Sequence, residues 1–244
     1  MNYICRKLHI MKRLSILITA IYLSIAAIGQ QNMADSGFTN KSEAKNQLVK
    51  GVKEGKWFEY LKDDETTTKD SSKAMFYRLA VYKNGEITGI LRTFYLDGNI
   101  QRTVQYVNNQ KNGSEKFYGE TGVVMLDIPF INGKKTGTEK FYDGKGTLDI
   151  EQPLIDGKKE GIAKVYSDGK LVSEAFYTND KANGMLKGYN DNGKVIMESP
   201  MVDGKINGVQ KKYYDDGKLK SETIWKNGKQ ISTKNYDENG KEIK

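Results

Sequence analysis

A glycine recurs along this chain at Gly89, Gly113, Gly137, Gly161, Gly184 and Gly208, in steps of 24, 24, 24, 23 and 24 residues. Around it the same phrase is rewritten about seven times; the copy from Gly208 to Gly228 reads GVQKKYYDDGKLKSETIWKNG. A fixed period of this length restricts the chain to stacked repeats, in which each unit touches only its neighbours. Such an array presents a surface and seldom a reaction centre.

Each unit has a strand–turn–strand rhythm. A first run, such as Thr138 to Tyr142, leads to a turn glycine (Gly98, Gly122, Gly146, Gly169, Gly193, Gly217 or Gly240) that mostly follows Asp or Asn. A second run, such as Lys218 to Lys226, ends in a further pair: Asn84-Gly85, Asn132-Gly133, Asp156-Gly157, Asp203-Gly204 or Asn227-Gly228. Asn-Gly and Asp-Gly between apolar-rich runs signal hairpins, because type I′ turns hold both central residues at positive φ. The expected fold is all-β: an elongated array of antiparallel β-hairpins, about seven to eight repeats, with no helical period outside the N-terminal leader.

Counting from the turn glycine aligns the side chains into columns. Two residues on stand Ile100, Val124, Leu148, Leu171, Val195 and Leu219; eight on stand Tyr106, Phe130, Leu154, Tyr177, Met201 and Trp225, with Tyr82 in the first unit. Two and eight have the same parity, so strand alternation places both columns on one face. Joined by Tyr95, Tyr118, Tyr142, Tyr166, Tyr189, Tyr214 and Tyr236 at the ends of the first strands, they are expected to form one apolar ridge, serving as core or as an aromatic strip for a ligand. A base stands three residues after each opening glycine (Arg92, Lys116, Lys140, Lys164, Lys187, Lys211, then Lys234 in the last unit), and an acid five after the turn glycine (Asp127, Glu151, Glu174, Glu198, Glu222). Their expected role is a solvent-exposed ladder of cross-strand pairs that fixes register, each pair contributing about 0–1 kcal/mol. Pro129, Pro153 and Pro200 share one column, which predicts an unpaired N–H or a bulge at that place in successive units.

The ends depart from the pattern. Lys12 and Arg13, the apolar run from Leu14 to Ile28, and the small residues Ala27 and Gly29 read as a secretory signal over residues 1–29, with Met11 an alternative start. Residues 30–50 are expected to be a flexible linker. The repeat domain covers 51–244, with an insertion at residues 62–72 and a last unit in which Ile231 replaces the opening glycine. Cleavage removes Cys5 and His9, the chain's single cysteine and single histidine, leaving no thiolate or imidazole for zinc or for a nucleophile–base pair. It also removes Arg6, Lys7, Lys12 and Arg13, so that 39 basic residues become 35 against 31 acidic ones, and the net charge falls from +8 to +4. That excess is too mild to suggest nucleic acid. No phosphate loop, nucleophile elbow or metal spacing is present, and no cofactor is expected.

The phrase from Gly208 to Gly228, and Gly161 through Glu174, resemble the MORN-variant repeat, the repeat of the YwqK-type family named as antitoxin components of toxin–antitoxin modules. The resemblance spans roughly residues 51–244. It implies a non-enzymatic array of hairpins that contacts a partner protein or a membrane. Together with the leader, the expectation is an exported, non-catalytic interaction module at the cell envelope, periplasmic or secreted, with an unidentified protein partner or an envelope surface. The alternatives are an antitoxin or immunity protein that caps a toxin and, more remotely, a carboxylate-dependent enzyme on envelope glycans using Asp63, Asp64 and Glu65.

Overall fold

The computed structural model describes residues 37–243; the leader expected at 1–29 lies outside the described residues. From Phe38 onward the chain forms one unit, an open antiparallel sheet of 21 strands in which each long strand pairs with its neighbours in sequence. Two short 3-10 turns, Lys41–Glu43 and Ser71–Lys73, supply its helical residues. The array of hairpins anticipated from the period is therefore present.

The two turns of each unit differ in kind. At unit junctions both central residues have positive φ, as in Asn132 and Gly133 at 49° and 80° or Asn227 and Gly228 at 51° and 81°, which is the type I′ geometry. Within units, Asp97 and its counterparts are not left-handed. Gly98 alone has positive φ, its N–H donates to the Tyr95 carbonyl, and the Tyr95 N–H donates to the Asn99 carbonyl. This is a three-residue loop closed by a glycine bulge, not the type I′ turn that the Asp-Gly pair suggests. The exception is Asp168-Gly169, where both residues have positive φ and Ser167 pairs directly with Lys170. This is the 23-residue unit. Its missing residue comes out of the turn, so the columns stay aligned.

The opening glycines sit in strands, not in turns. Gly113, Gly137, Gly161, Gly184 and Gly208 have φ between 109° and 129°, and each faces the large apolar residue of its own hairpin (Phe130, Leu154, Tyr177, Met201 and Trp225). On the other side, the strand bulges away from the preceding hairpin. Phe130 pairs with Lys135 but Asp127 pairs with Lys140, so five steps on one strand match three on the other. A Cβ on Gly137 would lie 2.9 Å from Pro129 Cγ, and one on Gly208 would lie 3.0 Å from Pro200 Cγ. The proline column thus marks the place where the neighbouring strand has withdrawn from the ladder, which is why a residue without an N–H is tolerated there. Where Ile231 replaces the glycine, the bulge shrinks to one extra residue: Ile224 pairs with Ser232 and Trp225 with Gln230.

A well-buried apolar core is confined to the first hairpins. Ala80, Tyr82, Leu91 and Val104 pack on one face with Trp57, Ile87 and Tyr106; Leu79 and Phe94 pack on the other, beneath Phe38. Phe38 is fully buried, and Gln47–Val49 pairs with the start of Val52–Leu61. The second half of the expected linker is therefore part of the fold. Its one buried large apolar side chain, Phe38, covers the open end of a sheet that would otherwise expose Leu79 and Phe94. Beyond Leu154 the residues buried to the same degree are Ala182, Gly188 and small polar ones, Ser199, Ser221 and Thr223.

Candidate interaction face

The strand register assigns every column to a face. Directly paired residues share a face; Lys140, Lys164, Lys187 and Lys211 pair with acids on both sides, and Lys116 and Lys234, at the two ends, each pair with one. The result is one unbroken row in which every strand alternates in sign: Lys116, Asp127, Lys140, Glu151, Lys164, Glu174, Lys187, Glu198, Lys211, Glu222, Lys234. The Nζ-to-carboxylate separations are 3.6 Å for Lys140–Glu151 and 3.7 Å for Lys187–Glu174 and Lys211–Glu222, ion-pair distances too long for hydrogen bonds.

The stronger contact on each glutamate of the row comes from the next repeat, whereas Asp127 accepts from the Ser114 hydroxyl of its own hairpin. Tyr166 donates its hydroxyl to Glu151 at 2.9 Å, Tyr189 to Glu174 at 2.8 Å, Tyr213 to Glu198 at 2.7 Å and Tyr236 to Glu222 at 3.2 Å. Burial, followed by the carboxylate that each hydroxyl faces, pushes Tyr166, Tyr189 and Tyr213 up to about 12. These tyrosines therefore belong to the charged face. The column member in the seventh unit is Tyr213; Tyr214 instead donates to the backbone carbonyl of Tyr236 at 2.8 Å.

The single apolar ridge expected from parity does not form. One extra residue follows the turn on each second strand (Gln101, Met125, Asp149, Val172, Ile196, Lys220), so Tyr118 pairs with Val124, Tyr142 with Leu148 and Tyr189 with Val195. This bulge inverts the alternation. Ile100, Val124, Leu148, Leu171, Val195 and Leu219 thus lie on the charged face beside the aromatic ends of the first strands, Phe94 in the first full unit and tyrosines thereafter. Tyr106, Phe130, Tyr177 and Trp225 lie on the opposite, aromatic face, across from the opening glycines. There Lys111 sits 4.8 Å above the Phe130 ring and Lys159 sits 5.3 Å above Tyr177. Glu115 and Glu139 are buried between strands on this face and are held by Lys111 at 2.6 Å and Lys135 at 3.2 Å.

Arg92 leads the base column but behaves differently. Thr103 stands across from it where later units have an acid, and its buried guanidinium donates to the Phe38 carbonyl at 3.3 Å. Two of the insertion acids are engaged within the fold: Asp64 accepts from the Thr66 backbone at 3.0 Å, and Glu65 reaches Arg102 at 2.8 Å.

A third row on the charged face lies outside the columns counted from the turn glycine. Ile162, Phe176, Met185, Val209 and Ile224 are 42–49% exposed and, with Pro200, form an apolar strip beside the Lys–Glu row. Its signal in the sequence was an apolar residue immediately after the opening glycine in three consecutive units from Gly161 onward; the same position holds Ile90 in the first full unit and Ser114 and Thr138 in the two between. A shallow polar hollow at one sheet margin is lined by Asn190, Asp191, Asn192 and Asp215.

This is a one-layer β-hairpin repeat protein. Two of its repeats match the family model described as MORN repeat variant, at residues 87–108 and 206–227, each match beginning two residues before an opening glycine. No curated protein matches the chain. Among solved structures, the crystal structure of TarM is 15% identical over 40% of this chain and 20% of that one, with a TM-score of 0.30, a likeness that carries no argument.

Proposed function

We propose that this is an exported, non-catalytic repeat protein that works as a protein-binding scaffold at the cell envelope. One observation carries the reading. From the fourth hairpin onward the sheet has no second layer among the described residues, so both faces consist of rows of chemically repeated side chains open to a partner. A sheet built this way is nearly all surface, and exposed apolar rows rimmed by charge mark interaction sites. Non-catalysis is supported by what the conspicuous acids do: Glu151, Glu174, Glu198 and Glu222 each accept a tyrosine hydroxyl in repeat register, and Glu65 pairs with Arg102. The apolar leader supports export.

The antitoxin reading rests on the repeat type alone. A pull-down from envelope extract with the folded protein tests the scaffold reading. Recovery of a specific envelope protein supports it; recovery of none, with the protein shown to be folded, overturns it. Neutralisation of a toxin encoded by a neighbouring gene on co-expression would instead establish the antitoxin role.

A further inference from the structure

The apolar strip and the alternating charge row next to it are complementary to themselves. We infer that the charged face of residues 161–226 pairs with the same face of a second copy of this chain, about a two-fold axis parallel to the strands. The axis runs between strands Lys181–Tyr189 and Val195–Val202. This inference rests on the scaffold reading of the face and names one partner for it.

The argument is geometric. Six successive strands each contribute one residue to each of three rows on this face. In order they present Ile162, Phe176, Met185, Pro200, Val209 and Ile224 in the apolar row, and Lys164, Glu174, Lys187, Glu198, Lys211 and Glu222 in the charged row. A two-fold axis parallel to the strands keeps each row over itself and reverses strand order. With the axis midway through the six strands, Ile162 faces Ile224 of the second copy, Phe176 faces Val209, and Met185 faces Pro200. In the charged row, Lys164 faces Glu222, Glu174 faces Lys211, and Lys187 faces Glu198. In the third row, Tyr166 faces Leu219, Tyr213 faces Leu171, and Tyr189 faces Val195.

The alternation restricts the register. An axis between strands sets Lys over Glu throughout, whereas an axis on a strand sets like charge over like and is repelled. The limits of the unbroken apolar run then choose among the permitted axes, because Ser114 and Thr138, paired with Pro129 and Pro153, interrupt the same row in earlier units. Elsewhere this face already buries an apolar partner, since Phe38 closes it over Leu79 and Phe94. Six strands at ~4.8 Å and about 20 Å along each give roughly 600 Å² per copy, ~1,200 Å² in all, at the lower edge of specific interfaces. Aligned sheets stack in this way in β-sandwiches.

Sedimentation velocity on the protein expressed from its full sequence tests the pairing. A monomer–dimer equilibrium at micromolar concentration is expected, weakened about tenfold or more by Phe176→Ser with Ile224→Ser. The circular dichroism spectrum of that variant should be unchanged, since both side chains are exposed. A second measurement does not depend on it. In a Cys5→Ser background, Met185→Cys should be joined to its two-fold mate by a short bismaleimide, while Leu186→Cys, on the aromatic face, should not. A wild-type monomer, a dimer indifferent to the paired serine substitutions, or equal cross-linking at positions 185 and 186 overturns the pairing. A monomer that co-sediments with phosphatidylglycerol vesicles assigns the strip to a membrane and also overturns it. Recovery of an envelope protein by a monomer leaves the scaffold reading intact while removing the dimer.

Discussion

Gly208→Ala probes the device that lets one hairpin follow another. Gly208 has φ at 123°, a region adopted almost only by glycine, and a side chain there costs about 1–3 kcal/mol in backbone strain. The new Cβ would also stand 3.0 Å from Pro200 Cγ, so the proline ring must shift by a few tenths of an ångström. Overpacking of this kind adds about 1 kcal/mol, for a total of roughly 2–4 kcal/mol. Gly122→Ala separates the two contributions: its φ is 76° and nothing lies within 4 Å of its Cβ, so only the left-handed penalty of about 1–2 kcal/mol applies. Pro200→Ala combined with Gly208→Ala should recover the steric part, giving a coupling of about 1 kcal/mol in a double-mutant cycle. Trp225 reports directly, because it is the register partner of Gly208. Urea unfolding followed by its emission in a Trp57→Phe background gives the local stability. A cost for Gly208→Ala no larger than that for Gly122→Ala, or an absent coupling, would refute the account of the bulge.

Three further outcomes are expected. Glu174→Ala strands the Tyr189 hydroxyl and should cost about 1.5–2.5 kcal/mol in urea melts, more than the 0–1 kcal/mol of an exposed ion pair, whereas Tyr189→Phe should cost about 1 kcal/mol. Tyr166, Tyr189 and Tyr213 titrate in the folded state at about 12, above the ordinary 10.0. The folded protein therefore holds protons that the unfolded chain has released, so this contribution is whole below pH 10 and is lost as pH rises through 12. Substituting all three by Phe should flatten that part of an alkaline stability profile, and a tyrosinate titration should show three late groups disappear. Glu115 lies between Val104 and Ile128 and is held by Lys111, so Lys111→Ala should cost about 2 kcal/mol, while Lys111→Met with Glu115→Leu should stay within about 1 kcal/mol of the parent.

The hairpin array was legible because Asn-Gly and Asp-Gly state their backbone requirement openly, and because the proline column betrays a missing ladder partner. The faces were not legible. The extra residue at Met125, Asp149 or Val172 occurs in every unit, so it leaves the period untouched while inverting the alternation on which a parity argument depends. The adjacent pair Tyr213 and Tyr214 could not be separated by spacing; only the hydroxyl bond to Glu198 places the first in the column. Phe38 was invisible for the opposite reason, being a lone apolar residue with no period, whose role depends on the exposed end of a sheet far along in construction. The charge row was visible as two columns, but its continuity across unit boundaries follows from junction pairings such as Lys187 with Glu174.

That continuity has a consequence for inheritance. Each unit contributes one Lys strand and one Glu strand, so duplication or loss of a whole unit by recombination leaves the sequence of signs intact. A slip by half a unit sets two lysines or two glutamates side by side. The row thus acts as a parity check on the gene: the copy number of the array is free to drift between generations, but only in steps of complete units.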